Sequence, residues 1–476
     1  MEALQRFGDY SYEAPERWKA PRLSALKFFM RYPIFLLAFG PPIFRPLTGI
    51  DATKGVIDFW AVFQIAWLGW VAIRAILRLA TMKTVLIPKR IRGVLRPAFV
   101  LGFLFLVSSV YSTSPPVTAA YALLNLLTLI CVAEFLADAY SNPPDWVQCI
   151  FQLRLTAFLL LVVVLVALPF DPSLVLWMIP GAGIRLLGGS VAPMGIICPV
   201  IAIISAYSFL NSLESRVRSS LFFVVGLAGT LVTQSRGAEI ALALSLLLLV
   251  IGWARTNRRT AYLSVIGSVA AVFVGGAVLA FVGPTRIWSA FNRGQDIEGV
   301  ASASGRTEIW EFVLRYCIAH PQGMGYIAGF RSLFKEHFAL GSGLTVSHIG
   351  ATHNSFVEVL AGAGWLALAL YLLMLVRTSG LAWRAGAMRM HSMEKLDHAA
   401  YHARRCSLLL LAFCLVCGME TSEFSLPLRA AFYYQYIIIA IILGASANLL
   451  VSSRGDGVSS SRKLFGGAGN APSPFK

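Results

Sequence analysis

A few arginines and histidines stand beside apparent helix starts, and their spacing suggests chemistry on an anion. Gly305-Arg306-Thr307 precedes Glu308-Ile309-Trp310-Glu311-Phe312, so Thr307 is a fair N-cap for a helix of about a dozen residues. The free N–H groups and positive dipole end of such a helix, with Arg306 beside them, suit a phosphate or diphosphate. The competing reading is an interfacial helix with a solvated arginine. Thr352-His353-Asn354-Ser355 opens a long apolar run. The dipole there disfavours an imidazolium, leaving His353 in the neutral state a general base requires. Against this, His353 and Asn354 simply cap the helix.

Two more cations stand at similar edges. Arg236 lies in Thr233-Gln234-Ser235-Arg236-Gly237, where Ser235 can cap the next helix. A cap needs no cation at membrane depth, where an unpaired one costs about 2.5–3.5 kcal/mol on insertion scales. Either an anionic ligand offsets that cost, or Glu239 three residues on pairs with it. Arg185, within the glycine-rich run Gly181 to Gly189, either meets an anion or flanks an apolar segment. Glu420 and Glu423 share a short turn and lie on one face if that turn is helical. They pair with the arginines, orient His353, or form a solvated acidic turn. Glu134 and Arg74 sit near span ends, where snorkelling or a mutual pair accounts for them better than a proton relay.

His320-Pro321-Gln322-Gly323-Met324-Gly325-Tyr326 reads as a helix stop followed by a turn, with His320 near the last helical carbonyls. Gly323 to Ala328 matches a dinucleotide fingerprint as text, but no βαβ unit surrounds it, so the match is rejected.

The elements that must hold these residues are membrane helices. Of 476 residues, 57% are hydrophobic and only 13% charged, against about 25% charged in soluble domains. This excludes a soluble fold and a disordered chain, and 7 Cys exclude a disulfide-stapled module. The apolar runs are continuous, without the alternation of a barrel wall. The expected fold is an all-α polytopic membrane protein of about twelve spans. They fall near 28–44, 56–80, 97–112, 116–138, 153–170, 190–210, 219–233, 237–254, 260–282, 354–376, 404–419 and 430–450. The organisation is then a cytoplasmic segment 1–27, helices over 28–282, one long outer loop 283–353, helices over 354–450, and a disordered cytoplasmic tail 451–476. The net charge of +17 follows from topology: most Lys and Arg fall in predicted cytoplasmic segments, such as 83–96 and 377–405. Membrane lipids are therefore partners and nucleic acid is not. No Cys/His spacing suggests a metal, and no cofactor is expected.

Taken in order, Thr233–Gly237, Gly305-Arg306 with Trp310, His320-Pro321 with Gly323 and Gly325, and His353-Asn354 with Gly364 resemble the O-antigen ligase superfamily over roughly 180–375. That superfamily includes O-antigen ligases, Wzy-type O-antigen and exopolysaccharide polymerases, and protein O-oligosaccharyltransferases. The resemblance implies a GT-C-like, metal-independent glycosyltransferase in a bacterial inner membrane, active at the periplasmic face. Its donor would be a glycan on undecaprenyl diphosphate, and its acceptor a saccharide or lipid-linked hydroxyl. It implies His353 as the group assisting acceptor attack. Arg236 and Arg306 would hold the diphosphate, with Arg185 a weaker match and Asn354, Glu420 and Glu423 in support. Gln322 departs from the His-Pro-Leu of many relatives, and the polar N-terminal extension is long. The rival reading is a transporter or flippase of lipid-linked saccharides, which would need midplane coupling residues and symmetric broken helices.

Overall fold

The computed structural model describes residues 23–38, 59–82, 87–170, 172, 176–179, 183–186, 191–254, 306–339, 352–386, 395–421, 424–425, 427 and 429–452. The expected span at 260–282, Glu423 and residues 283–305 and 340–351 of the expected outer loop lie outside these residues, as do most of the two terminal segments.

The described chain is helical. Helices α1 (Ala25–Arg31) and α2 (Ile34–Leu37) are short pieces separated at Tyr32-Pro33. Then come α3 (Phe59–Thr81), α4 (Lys89–Val107) with a 3-10 turn over Ser108–Tyr111, α5 (Pro115–Ser141) and α6 (Trp146–Ala167). A two-stranded antiparallel hairpin follows, β1 (Leu176–Ile179) and β2 (Gly183–Leu186), an addition to the expected all-helical order. After it run α7 (Val191–Leu210), α8 (Arg216–Thr233), α9 (Arg236–Ala254), α10 (Arg306–Ala319) and α11 (Ala328–Ala339). Helices α12 (Ser355–Gly386), α13 (Lys395–Gly418) and α14 (Ala430–Ser452) complete the chain. Among the described residues, eight helices are long and apolar enough to cross a bilayer. The protein is an all-α polytopic membrane protein.

Local chemistry starts these helices where they start. Pro115 and Pro116 occupy the first positions of α5, where a missing N–H costs nothing. Asp145 caps α6 by accepting from the N–H groups of Val147 and Gln148. Helix α14 is apolar all round and every residue from Ala430 to Ala447 is buried, which makes it the central post of the bundle. Helices α8 and α9 instead leave Leu221, Val224, Leu231, Ile240 and Leu247 exposed, as lipid-facing helices do.

The two ends of the bundle differ in character. At one end basic residues are tied down. Arg78 meets Glu134 at 2.6 Å and Asp138 at 3.2 Å, and Arg31 reaches Asp138 at 3.4 Å. Thus Glu134 pairs with Arg78, while Arg74 donates to the Met30 carbonyl. Arg154 forks onto Glu214, holding its carboxylate below the usual range against the opposing effect of burial. Arg377 and Arg405 reach the Gly93 and Gly252 carbonyls at the same end. At the opposite end, turns from distant parts of the sequence join: Tyr111 with Gln322, Thr113 with Gly329, Tyr326 with Ser425, and Asn354 with Met419. These are the segments whose spacing predicts a common outer face.

That second end is organised by a break in α12. Its 32 residues would extend about 48 Å as one regular helix. At Ala363 (φ −140°, ψ 21°) and Gly364 (φ 76°, ψ −169°) the backbone leaves the helical region. The freed groups are taken up by the loop after α10. Met324 N–H donates to Ala361 O at 2.7 Å, Gly325 N–H to Gly362 O at 2.9 Å, and Trp365 N–H to Pro321 O at 3.1 Å. Tyr326 stacks on Phe105 at 3.8 Å between ring centres and donates its hydroxyl to Ser425 O at 2.6 Å. The sequence that resembles a dinucleotide fingerprint is therefore a docking strip for a broken membrane helix. Gly364 has no room for a side chain, because a Cβ there would collide with Pro321 O. Gly364→Ala should destabilise the protein by at least the roughly 1–2 kcal/mol of a left-handed non-glycine backbone. Thermal unfolding in detergent should show a lowered midpoint; an unchanged midpoint would mean that the break is not held as described.

Candidate functional site

Asn354 is the N-cap of α12: its Oδ1 accepts from Phe356 N at 2.9 Å and Val357 N at 3.1 Å. The capping alternative is thus satisfied by Asn354. The same side chain donates Nδ2–H to Met419 O at 3.0 Å, and Ser355 Oγ donates to Thr421 O at 2.7 Å. The start of α12 is in this way bound to the turn that carries Glu420.

His353 is half-buried just outside that cap, in the left-handed region at φ 52°. A non-glycine residue there is costly and persists only where neighbours hold it. Both flanks are held. Thr352 donates N–H and Oγ1–H to Glu358 Oε2 at 3.2 and 2.8 Å, and its carbonyl accepts from Trp310 Nε1 at 2.8 Å. Glu358 is fully buried, and its other oxygen accepts from Arg331 Nε and Nη2 at 3.3 and 3.2 Å. Residues from α10, α11 and α12 therefore converge on the backbone that presents His353.

The arginines meet Glu420. Helix α10 begins at Arg306, one residue before the expected Thr307 cap. Arg306 Nη1 lies 3.7 Å from Glu420 Oε1 and donates to the Glu420 carbonyl at 3.3 Å. Glu420 is thus an ion-pair partner and not simply a solvated acid. Helix α9 begins at Arg236, directly after Ser235. The Glu420 carboxylate occupies the space that a Cβ at the next residue, Gly237, would take. Glu420 therefore lies against the first turn of α9, where free N–H groups and the dipole favour negative charge. The Arg306 guanidinium is pushed below its usual range by burial; Glu420 opposes this and the Arg236 charge adds to it. Two guanidiniums, a carboxylate and a helix N-terminus thus share one pocket of field beside the His353 turn.

Arg185 lies on β2 in register with Trp177. Glu423 lies outside the described residues. His320 follows α10, with its N–H donating to Tyr316 O at 2.8 Å and its ring 4.4 Å from that of Tyr316. Burial pushes the Cys317 thiol up to about 11, which makes it inert. Sequence reasoning missed Glu358 and Arg331. The available signal was an acid one turn inside an apolar helix, which is expensive unless paired.

A cation-rich cluster thus stands at one end of a many-helix membrane bundle, with a strained histidine turn beside it. Residues 221–372 match the family model described as O-antigen ligase, so the chain carries an O-antigen ligase family domain over that segment. The matched stretch contains Arg236, Arg306, the docking strip, His353 and the break in α12. Arg185 and Glu420 lie outside it. No curated protein matches the chain in a sequence comparison.

Glu358→Ala should be among the most destabilising substitutions, because it strands Arg331 in a site where its side chain is only 12% exposed. Breaking a buried pair from one side costs roughly 3–5 kcal/mol. Glu358→Gln, which still accepts from Thr352, should lose markedly less in the same thermal unfolding series; equal losses would mean that charge pairing, and not the turn contacts, sets the stability.

Proposed function

We propose that this protein is a membrane glycosyltransferase. It moves a glycan from undecaprenyl diphosphate to an acceptor hydroxyl at the periplasmic face, as an O-antigen or exopolysaccharide polymerase or an O-antigen ligase. The observation that carries this reading is the convergence of Arg306, Arg236 and the α9 N-terminus with the His353 turn, all within the family-matched segment.

In the proposed reaction the acceptor hydroxyl attacks the anomeric carbon of the donor sugar. His353 takes the hydroxyl proton as the new C–O bond forms. The bond from the anomeric carbon to the diphosphate oxygen breaks, and the electron pair leaves with undecaprenyl diphosphate. Arg306, Arg236 and the α9 N–H groups stabilise that leaving charge as preorganised donors. Arg185 is a further diphosphate ligand in this scheme, and Asn354, Glu420 and Glu423 are supporting residues. The arginines supply charge that a metal supplies in other transferases, so no cofactor is needed. The basic end of the bundle faces the cytoplasm of a bacterial inner membrane, in keeping with the positive-inside rule.

The break in α12 is a feature that transporters also use. Here a loop of the same chain fills it, which favours a fixed site over a moving one. The purified protein, reconstituted with undecaprenyl-diphosphate glycan and acceptors in turn, tests the roles. His353→Ala should lower transfer by about 10²–10⁴-fold, the usual worth of a general base, with donor binding kept. Arg306→Ala should weaken donor binding itself. Full transfer by His353→Ala, or unchanged donor binding by Arg306→Ala, would remove the corresponding role.

A further inference from the structure

We propose that Glu420 is an internal stand-in for the donor's diphosphate, occupying the anion site until the donor displaces it. The inference rests on the diphosphate reading given above and adds a specificity and regulatory role for one residue of the site.

Three observations support it. First, the Glu420 carboxylate already uses the partners a diphosphate would need: it lies on the first turn of α9 at Gly237 and faces Arg306 Nη1 at 3.7 Å. Second, its backbone is held by neighbouring side chains while its own side chain is partly exposed. The carbonyls on either side of it, Met419 O and Thr421 O, are held by Asn354 Nδ2 and Ser355 Oγ, whereas the Glu420 side chain is 37% exposed. A rotation about the side-chain bonds therefore vacates the site without moving the turn. Third, Arg306 also donates to the Glu420 carbonyl at 3.3 Å. That contact keeps the guanidinium aimed at the site after the carboxylate leaves. The arrangement offsets, in the resting protein, the repulsion that Arg306 feels from the Arg236 charge, because the Glu420 carboxylate acts in the opposite direction. It also sets a threshold: a ligand must carry enough negative charge to outcompete a carboxylate, which a diphosphate does and a neutral glycan does not.

The role has a signature opposite to that of a structural residue. If Glu420 merely held Arg306 in place, its loss would weaken anion binding. As a competing anion, its loss strengthens binding, since a competitor lowers apparent affinity by the fraction of sites it fills. Inorganic pyrophosphate and a short-chain prenyl diphosphate, titrated calorimetrically into the full-length protein in detergent, read this directly. Glu420→Gln should bind both probes about five- to tenfold more tightly, the worth of one partly exposed charge-assisted contact. Glu420→Asp, shorter by one methylene, should fall between Gln and wild type and controls for misfolding. Arg306→Ala should weaken binding in either background. Unchanged or weaker binding by Glu420→Gln, with Arg306→Ala still weakening it, would overturn the stand-in role and leave the diphosphate site intact. Binding indifferent to Arg306→Ala would overturn the diphosphate site, and this inference with it.

Discussion

A membrane helix that breaks must find partners for the backbone groups it frees, and here the partner is a strip of the same chain. The hydrogen bonds from Met324 and Gly325 to Ala361 and Gly362, and from Trp365 to Pro321, satisfy groups that would otherwise cost several kcal/mol each in a bilayer. The backbone that presents His353 is tied to that docking. The docking fixes the loop after α10, and with it the register of α11, which brings Arg331 to the buried Glu358. Glu358 in turn holds Thr352 and so the backbone on which His353 is presented.

The electrostatics share that logic of mutual support. At the basic end the arginines are bound to acids and carbonyls of neighbouring helices. At the opposite end Arg306 and Arg236 are close enough for each to feel the other, with Glu420 set against both Arg306 and the α9 N-terminus. Positive charge concentrated at a helix start beside a positioned histidine is the arrangement on which the proposed leaving-group role rests. The O-antigen ligase family match over 221–372 covers most of this machinery, and the turn bearing Glu420 completes it from beyond the matched segment.

Much of this was legible in the sequence because it rests on local rules. Continuous apolar runs mark α5, α6 and α14, and Asn354 before Ser355 marks the start of α12. Arg236 and Arg306 are read at helix starts, and the structure begins α9 and α10 at those residues. What escaped was non-local. Tyr32-Pro33 splits the first helical segment, and the hairpin pairing Trp177 with Arg185 has no alternating pattern to announce it. The strip from Pro321 to Tyr326 looked like a turn because its partners, Ala361 to Trp365, lie some forty residues downstream. Likewise, nothing in the spacing of Gly237 and Glu420 reveals that the two lie against each other.

The central claim is group transfer from a lipid diphosphate, and its most direct measurement is stoichiometry. The purified protein in vesicles receives glycan labelled on undecaprenyl diphosphate together with a defined acceptor. The account predicts that each glycan gained by the acceptor is matched by one undecaprenyl diphosphate released. Labelled donor crossing the bilayer intact, with no acceptor glycosylated and no diphosphate released, would contradict it.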